Sequence, residues 1–154
     1  MTSIEREIAY MREALKQAQA AAKLGEVPVG CVIVLGDETI AAAHNLRESR
    51  QNALAHAEML AIGAACEKLG SWRLPECELY VTLEPCPMCM GAVINSRIGR
   101  VVYGTRDPKA GVLGSLVDLT AIPFNHKPQV QGGICEIECG QILKEFFSRL
   151  RASH

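Results

Sequence analysis

Apolar residues recur at helical spacing over 4–24, where Ile8, Met11, Leu15, Ala18 and Ala22 share one face, and Gly25 ends the run. The period then changes. A short, β-branched apolar run at 29–35 predicts a buried strand, Gly36-Asp37 a turn, and 39–43 the returning partner of a hairpin. The polar stretch 45–52 is predicted as a loop, after which helical spacing resumes over 53–69 with His56 and Glu58 in its first turn. Strands follow at 79–83 and 100–104, with a helix over 86–96 between them. Ile134 closes a further short strand, and a last helix runs over 135–151. Strands alternate with helices, and no repeat, linker or low-complexity run breaks the series. The pattern predicts one α/β domain over 1–154, with helices on both faces of a central sheet.

Composition adds constraints rather than detail. With 49% hydrophobic and 21% charged residues, the chain is ordinary globular material. It has no run of 18 apolar residues and no charged-then-apolar leader, so neither a membrane span nor a secretory signal is expected. Seven cysteines, two of them in C-x-x-C spacing, favour thiol and metal chemistry in a reducing cytoplasm over disulfides. The net charge of -1 conceals two basic stretches. Arg97, Arg100, Arg106 and Lys109 outweigh Asp107, and Lys144, Arg149 and Arg151 outweigh Glu145. Either stretch can meet phosphates, although solvated surface is the commoner role for such residues.

The chemistry concentrates at His56-Ala57-Glu58 and Pro85-Cys86-Pro87-Met88-Cys89. One imidazole and two thiolates fill three positions around zinc and leave the fourth open, as in catalytic sites. Glu58 then stands beside the open position as a proton handler. A helix starting at the cysteines lowers their pKa toward thiolate, and i, i+3 spacing lets both sulfurs reach one ion. Other readings weigh less. Cys135 and Cys139 could complete a four-cysteine cage with Cys86 and Cys89, but that leaves His56 and Glu58 unused. Cys31, Cys66, Cys135 and Cys139 read as small core residues, His44 and His126 as loop or surface histidines, and His154 as a frayed end.

H-x-E followed by P-C-x-x-C is the signature of zinc nucleobase deaminases. The run 82–92 resembles the cytidine deaminase superfamily. Residues 96–104, Asp107-Pro108-Lys109, 26–30 and Phe146-Phe147 narrow the resemblance to the bacterial tRNA-specific adenosine deaminase family. The resemblance implies a three-layer α-β-α fold around a mixed sheet of about five strands. It also implies hydrolytic conversion of adenosine to inosine at the wobble position of a tRNA anticodon, most readily an arginine tRNA. A homodimer with one Zn2+ per subunit and the anticodon stem-loop at the subunit junction is expected, with no membrane partner. Carried over by position, His56, Cys86 and Cys89 are the zinc ligands and Glu58 the proton shuttle. Asn45 meets the base edge, the Ala57 N–H faces the C6 substituent, and Pro28 and Val29 line the pocket. Asp107 lies near the RNA sugar. Phe147 stacks on a nucleotide, and Arg106, Lys109, Arg149 and Arg151 meet phosphates; Phe146 and Phe147 could both be core, but one is expected to be buried and one available. The sequence ends without a lysine-rich run, which turns the expectation for RNA affinity toward the patch from Arg97 to Lys109. A free-base deaminase of the guanine or cytosine type shares the metal motif, and a non-catalytic zinc-binding RNA module is a third reading.

Overall fold

A computed structural model describes residues 3–153, and the reading of His154 falls outside them. Helix α1 (Ser3–Lys23) leads into the hairpin β1 (Gly30–Leu35) and β2 (Glu38–His44). There follow α2 (Arg47–Arg50), α3 (Ala57–Leu69), β3 (Cys77–Leu83), α4 (Pro87–Ser96), β4 (Arg100–Thr105), β5 (Gln129–Gln131) and α5 (Glu136–Ala152). The strands form one sheet in the order β2-β1-β3-β4-β5. β1 runs antiparallel to β2 and β3, while β3, β4 and β5 are parallel. The expected mixed five-stranded sheet is present.

Strand alternation divides the core in two. Cys31, Ile33, Leu79, Val81 and Val101 face α3 and α4 and pack on Ala57, Ala61, Met90 and Val93. Val32, Val34, Tyr80 and Val102 point the other way, against Met11, Ala14 and Leu15 of α1 and Cys139 of α5. On that side α1 lies so close to the sheet that a Cβ at Gly30 would stand 1.9 Å from the Ala14 carbonyl oxygen. Only glycine fits this crossing.

The elements depart from expectation at three places, two of them beside the future site. The 45–52 loop contains the helical turn α2, whose N-cap Leu46 supplies no side-chain acceptor. Glu26, fully buried, does so from a distance, accepting the N–H groups of Glu48 (3.0 Å) and Ser49 (2.6 Å). The helix predicted from 53 begins at Ala57. Asn52 captures the chain first, through Leu54 N–H to its side chain (2.9 Å) and Ala55 N–H to its carbonyl (3.1 Å). The last strand ends at Gln131 rather than at Ile134. Ile134 instead packs with the α1 and α5 side of the core.

Candidate active site

Helices α3 and α4 lie on the same sheet face and direct their N-termini at one point. His56 is the N-cap of α3 and Cys86 the N-cap of α4, both with extended backbone, and neither end receives a side-chain cap. Pro87 takes the first position of α4, where a missing N–H costs nothing. Two sets of unpaired N–H groups thus face the same corner and favour negative charge there. His56 Nδ1 lies 3.7 Å from Cys86 Sγ and 3.5 Å from Cys89 Sγ. Ligands at Zn–N and Zn–S bond lengths with tetrahedral angles stand about 3.6 Å apart, so the three atoms fit a zinc ion. Among the described residues, this is the one group of histidine, cysteine and acid side chains gathered closely enough to hold a metal. Cys135, the N-cap of α5, and Cys139, within α5, lie elsewhere and form no cage with it.

The proton chemistry of the corner follows from its burial and its sulfurs. Cys86 is pushed down to about 4, first by the hydrogen bond from the Cys89 thiol and then, against the cost of burial, by His56. Cys89 moves upward because it keeps the shared proton. His56 moves upward through its hydrogen bond to Cys86. Glu58, only 4% exposed, is pushed up to about 7, chiefly by burial. A carboxyl poised there can both take and return a proton near neutral pH.

Above the metal corner is a cavity of about 210 Å3, smaller than the roughly 300 Å3 lower bound for drug-sized ligands and suited to one heterocyclic base. His56, Ala57, Glu58 and Cys86 form its floor, Val27, Val29, Asn45 and Arg47 one wall, and Leu83, Glu84, Asp107 and Ala110 the other. Asn45 is held in place, its amide donating to the Val27 carbonyl (3.2 Å) and accepting from Arg47 N–H (3.1 Å). Pro28, expected at the wall, is buried away from the cavity, and Val27 takes its place because backbone alternation turns 27 and 29 to the same side.

The cavity shares Val27, Leu83 and Asp107 with a neighbouring groove of about 650 Å3. Arg106, Lys109, Lys144, Phe147 and Arg151 line it, so two sequence-distant segments supply one basic surface. Phe147 is 40% exposed, while Phe146 is buried and meets it edge-on at 5.4 Å. Arg149 is not part of this groove; it faces the other side of α5, toward α1. The basic stretch beginning at Arg97 also divides. Arg100 is ion-paired to Glu7 (2.6 Å) and Glu78 (3.2 Å), and Arg97 donates to the Ile94 carbonyl (2.6 Å) beside the Trp72 ring. Neither enters the groove.

The two walls rest on acids that the pattern of the sequence does not single out. Glu26 supports the Asn45–Arg47 side through α2, and Glu84 the Asp107 side. Their sequence signal is a lone carboxylate at the entry or exit of an apolar strand, which is easily taken for a surface position.

Comparison with known proteins agrees with this geometry. The MafB19-like deaminase family profile matches residues 5–151. A tRNA-specific adenosine deaminase from Bacillus subtilis (strain 168) is 54% identical over 143 residues, covering 92% of this chain and 89% of the relative. A structure solved in studies of A-to-I editing by tRNA:A34 deaminases at the wobble position superposes with a TM-score of 0.85 at 43% identity, covering 88% of this chain and 99% of that one. A guanine deaminase from Nitrosomonas europaea is more distant, with a TM-score of 0.73 at 26% identity over 90% of this chain and 83% of its own.

Proposed function

The chain belongs to the MafB19-like deaminase family, and from that premise we propose that it converts adenosine to inosine in tRNA, at the wobble position of the anticodon. The observation that carries this reading is the continuity of a base-sized cavity over His56, Cys86, Cys89 and Glu58 with a basic groove containing an exposed phenylalanine. A deaminase of free bases needs the cavity and has no use for the groove. An arginine tRNA as substrate and a homodimer holding the stem-loop between subunits follow from the family resemblance. None of the seven cysteines is in a disulfide, which suits a cytoplasmic setting, and no helix among the described residues is long and apolar enough to cross a membrane.

His56 Nδ1 and the Cys86 and Cys89 sulfurs are the atoms that would hold zinc. When bound, zinc supplies a Lewis acid that brings the pKa of water down to about 7. The protein does the rest. The target base leaves its stack and enters the cavity, where Asn45 meets its edge with donor and acceptor together. The Ala57 N–H, unpaired at the helix start, faces the C6 substituent. Glu58 takes a proton from the attacking water and delivers it to the ring nitrogen, which relieves the charge that addition places on the ring. It then serves the departing amine, so that adenosine and water become inosine and ammonia. Burial of Glu58 keeps bulk water from short-circuiting this transfer.

The test is turnover of an anticodon stem-loop with adenosine at the wobble position, run beside free adenine, guanine and cytosine nucleosides and bases. Inosine in the stem-loop alone, absent with Glu58→Ala, is the expected result. Turnover of a free base alone would overturn the reading in favour of nucleobase salvage. Zinc and RNA binding without any turnover would leave a non-catalytic module.

A further inference from the structure

We propose that Glu84 is a positioning residue for the RNA substrate, a single carboxylate that ties the entrance of the metal helix to the loop carrying Asp107 and Lys109; this rests on the tRNA reading above. Glu84 is 2% exposed and stands two residues before Cys86. Its N–H extends the β3–β4 pairing to the Thr105 carbonyl (2.9 Å). Its carboxylate then collects donors from across the loop. Oε1 accepts from Asp107 N–H (3.0 Å) and the Ser115 hydroxyl, and Oε2 from the N–H groups of Leu113 (2.8 Å) and Ser115 (3.1 Å). Pro85 joins in through its carbonyl, which accepts from Val112 N–H (3.1 Å).

The loop runs directly over this acid. A Cβ at Gly111 would stand 2.3 Å from the Glu84 carboxyl carbon, so the close approach admits glycine alone. Asp107 repeats the arrangement on a smaller scale, its Oδ1 accepting from the N–H groups of Lys109 (3.0 Å) and Ala110 (3.3 Å). The outcome is a loop wound around two carboxylates. It presents Arg106 and Lys109 to the groove and Asp107 to groove and cavity together. Glu84 lines the base-sized cavity and not the groove. It fixes the distance between them.

Glu84→Gln places an amide N–H2 where an oxygen now accepts, leaving at least one backbone donor opposed. The expected result is a rise of about tenfold or more in KM for the stem-loop, with a smaller change in kcat and one zinc retained per chain. Ser115→Ala removes one donor without touching the acid, and should raise KM in the same direction by less. It carries the test if the glutamine variant fails to fold. In both variants, hydrogen exchange at the Asp107 and Leu113 amides should quicken while that of the α4 helix does not. A KM within twofold of the parent, or unchanged exchange at those amides, would overturn the proposal. So would a fall in kcat at constant KM. If the parent protein does not turn over the stem-loop, the tRNA reading fails, and the exchange measurement still decides whether Glu84 holds the loop.

Discussion

The metal corner and the basic groove share a rim and are built in opposite ways. At the corner, two rigid helix ends place His56, Cys86 and Cys89 within hydrogen-bond reach of one another, in a setting where Cys89 and Glu58 are buried. In the groove, Arg106 and Lys109 come from a loop, Lys144, Phe147 and Arg151 from the last helix, and all of them face solvent. Displacement at the corner would break coordination of the zinc that these residues are proposed to hold, because ligand distances tolerate only tenths of an ångström. Displacement in the groove costs one screened charge among several. On the proposed function, chemistry is therefore placed on helix ends and affinity for RNA on an adjustable surface.

The sharpest way to break the comparison is at the corner. Cys86→Ala, or treatment with a strong chelator, should take turnover to background and zinc below one per chain by metal analysis. Glu58→Gln should cost about 10²–10⁴ in kcat with zinc retained, separating proton transfer from metal binding. In the groove, Arg106→Glu with Lys109→Glu should weaken stem-loop binding by about tenfold or more at low salt. The log–log salt slope should become shallower by about one for each phosphate no longer neutralised, with zinc unchanged. Arg149→Ala, on the far side of α5, should alter binding less than twofold; an equal loss there would move the RNA path off this groove.

A further effect is on stability rather than on turnover or binding. Burial pushes the Glu26 carboxyl up, but the bonds from Ser49 and Glu48 outweigh it and hold the pKa below its ordinary value. A carboxyl depressed on folding contributes stability above its unfolded pKa and loses it as pH falls through the folded one. Urea unfolding midpoints should therefore decline below about pH 4.3, and Glu26→Gln should flatten that decline while costing about 1–3 kcal/mol at neutral pH.

The same contrast explains what was legible in the sequence. His56, Glu58, Cys86 and Cys89 are found by spacing because both segments sit at helix starts, where a few residues fix the geometry. Strand alternation likewise gives the layers away, since period two and period 3.6 differ over a handful of positions. The groove is not written locally. Arg97 and Arg100 look equivalent to Arg106 and Lys109 in sequence, yet Arg100 is consumed by Glu7 and Glu78 and Arg97 by the end of α4. Likewise α2 has no cap of its own and exists because Glu26 lies some twenty positions away in sequence. Partners that meet only after folding leave no periodic trace.

Strand β3 has one more consequence, for the history of the chain rather than its chemistry. Within a few consecutive residues it delivers Thr82 to the Gly30 N–H, Leu83 to the cavity, Glu84 to the loop and Cys86 to the metal corner. A strand side chain changes face with each residue, so one insertion or deletion here would misdirect all four at once. Descendants of this sequence can lengthen or shorten the exposed stretch 122–125 at less cost. Across 81–86 they can exchange residues, but they cannot change the count.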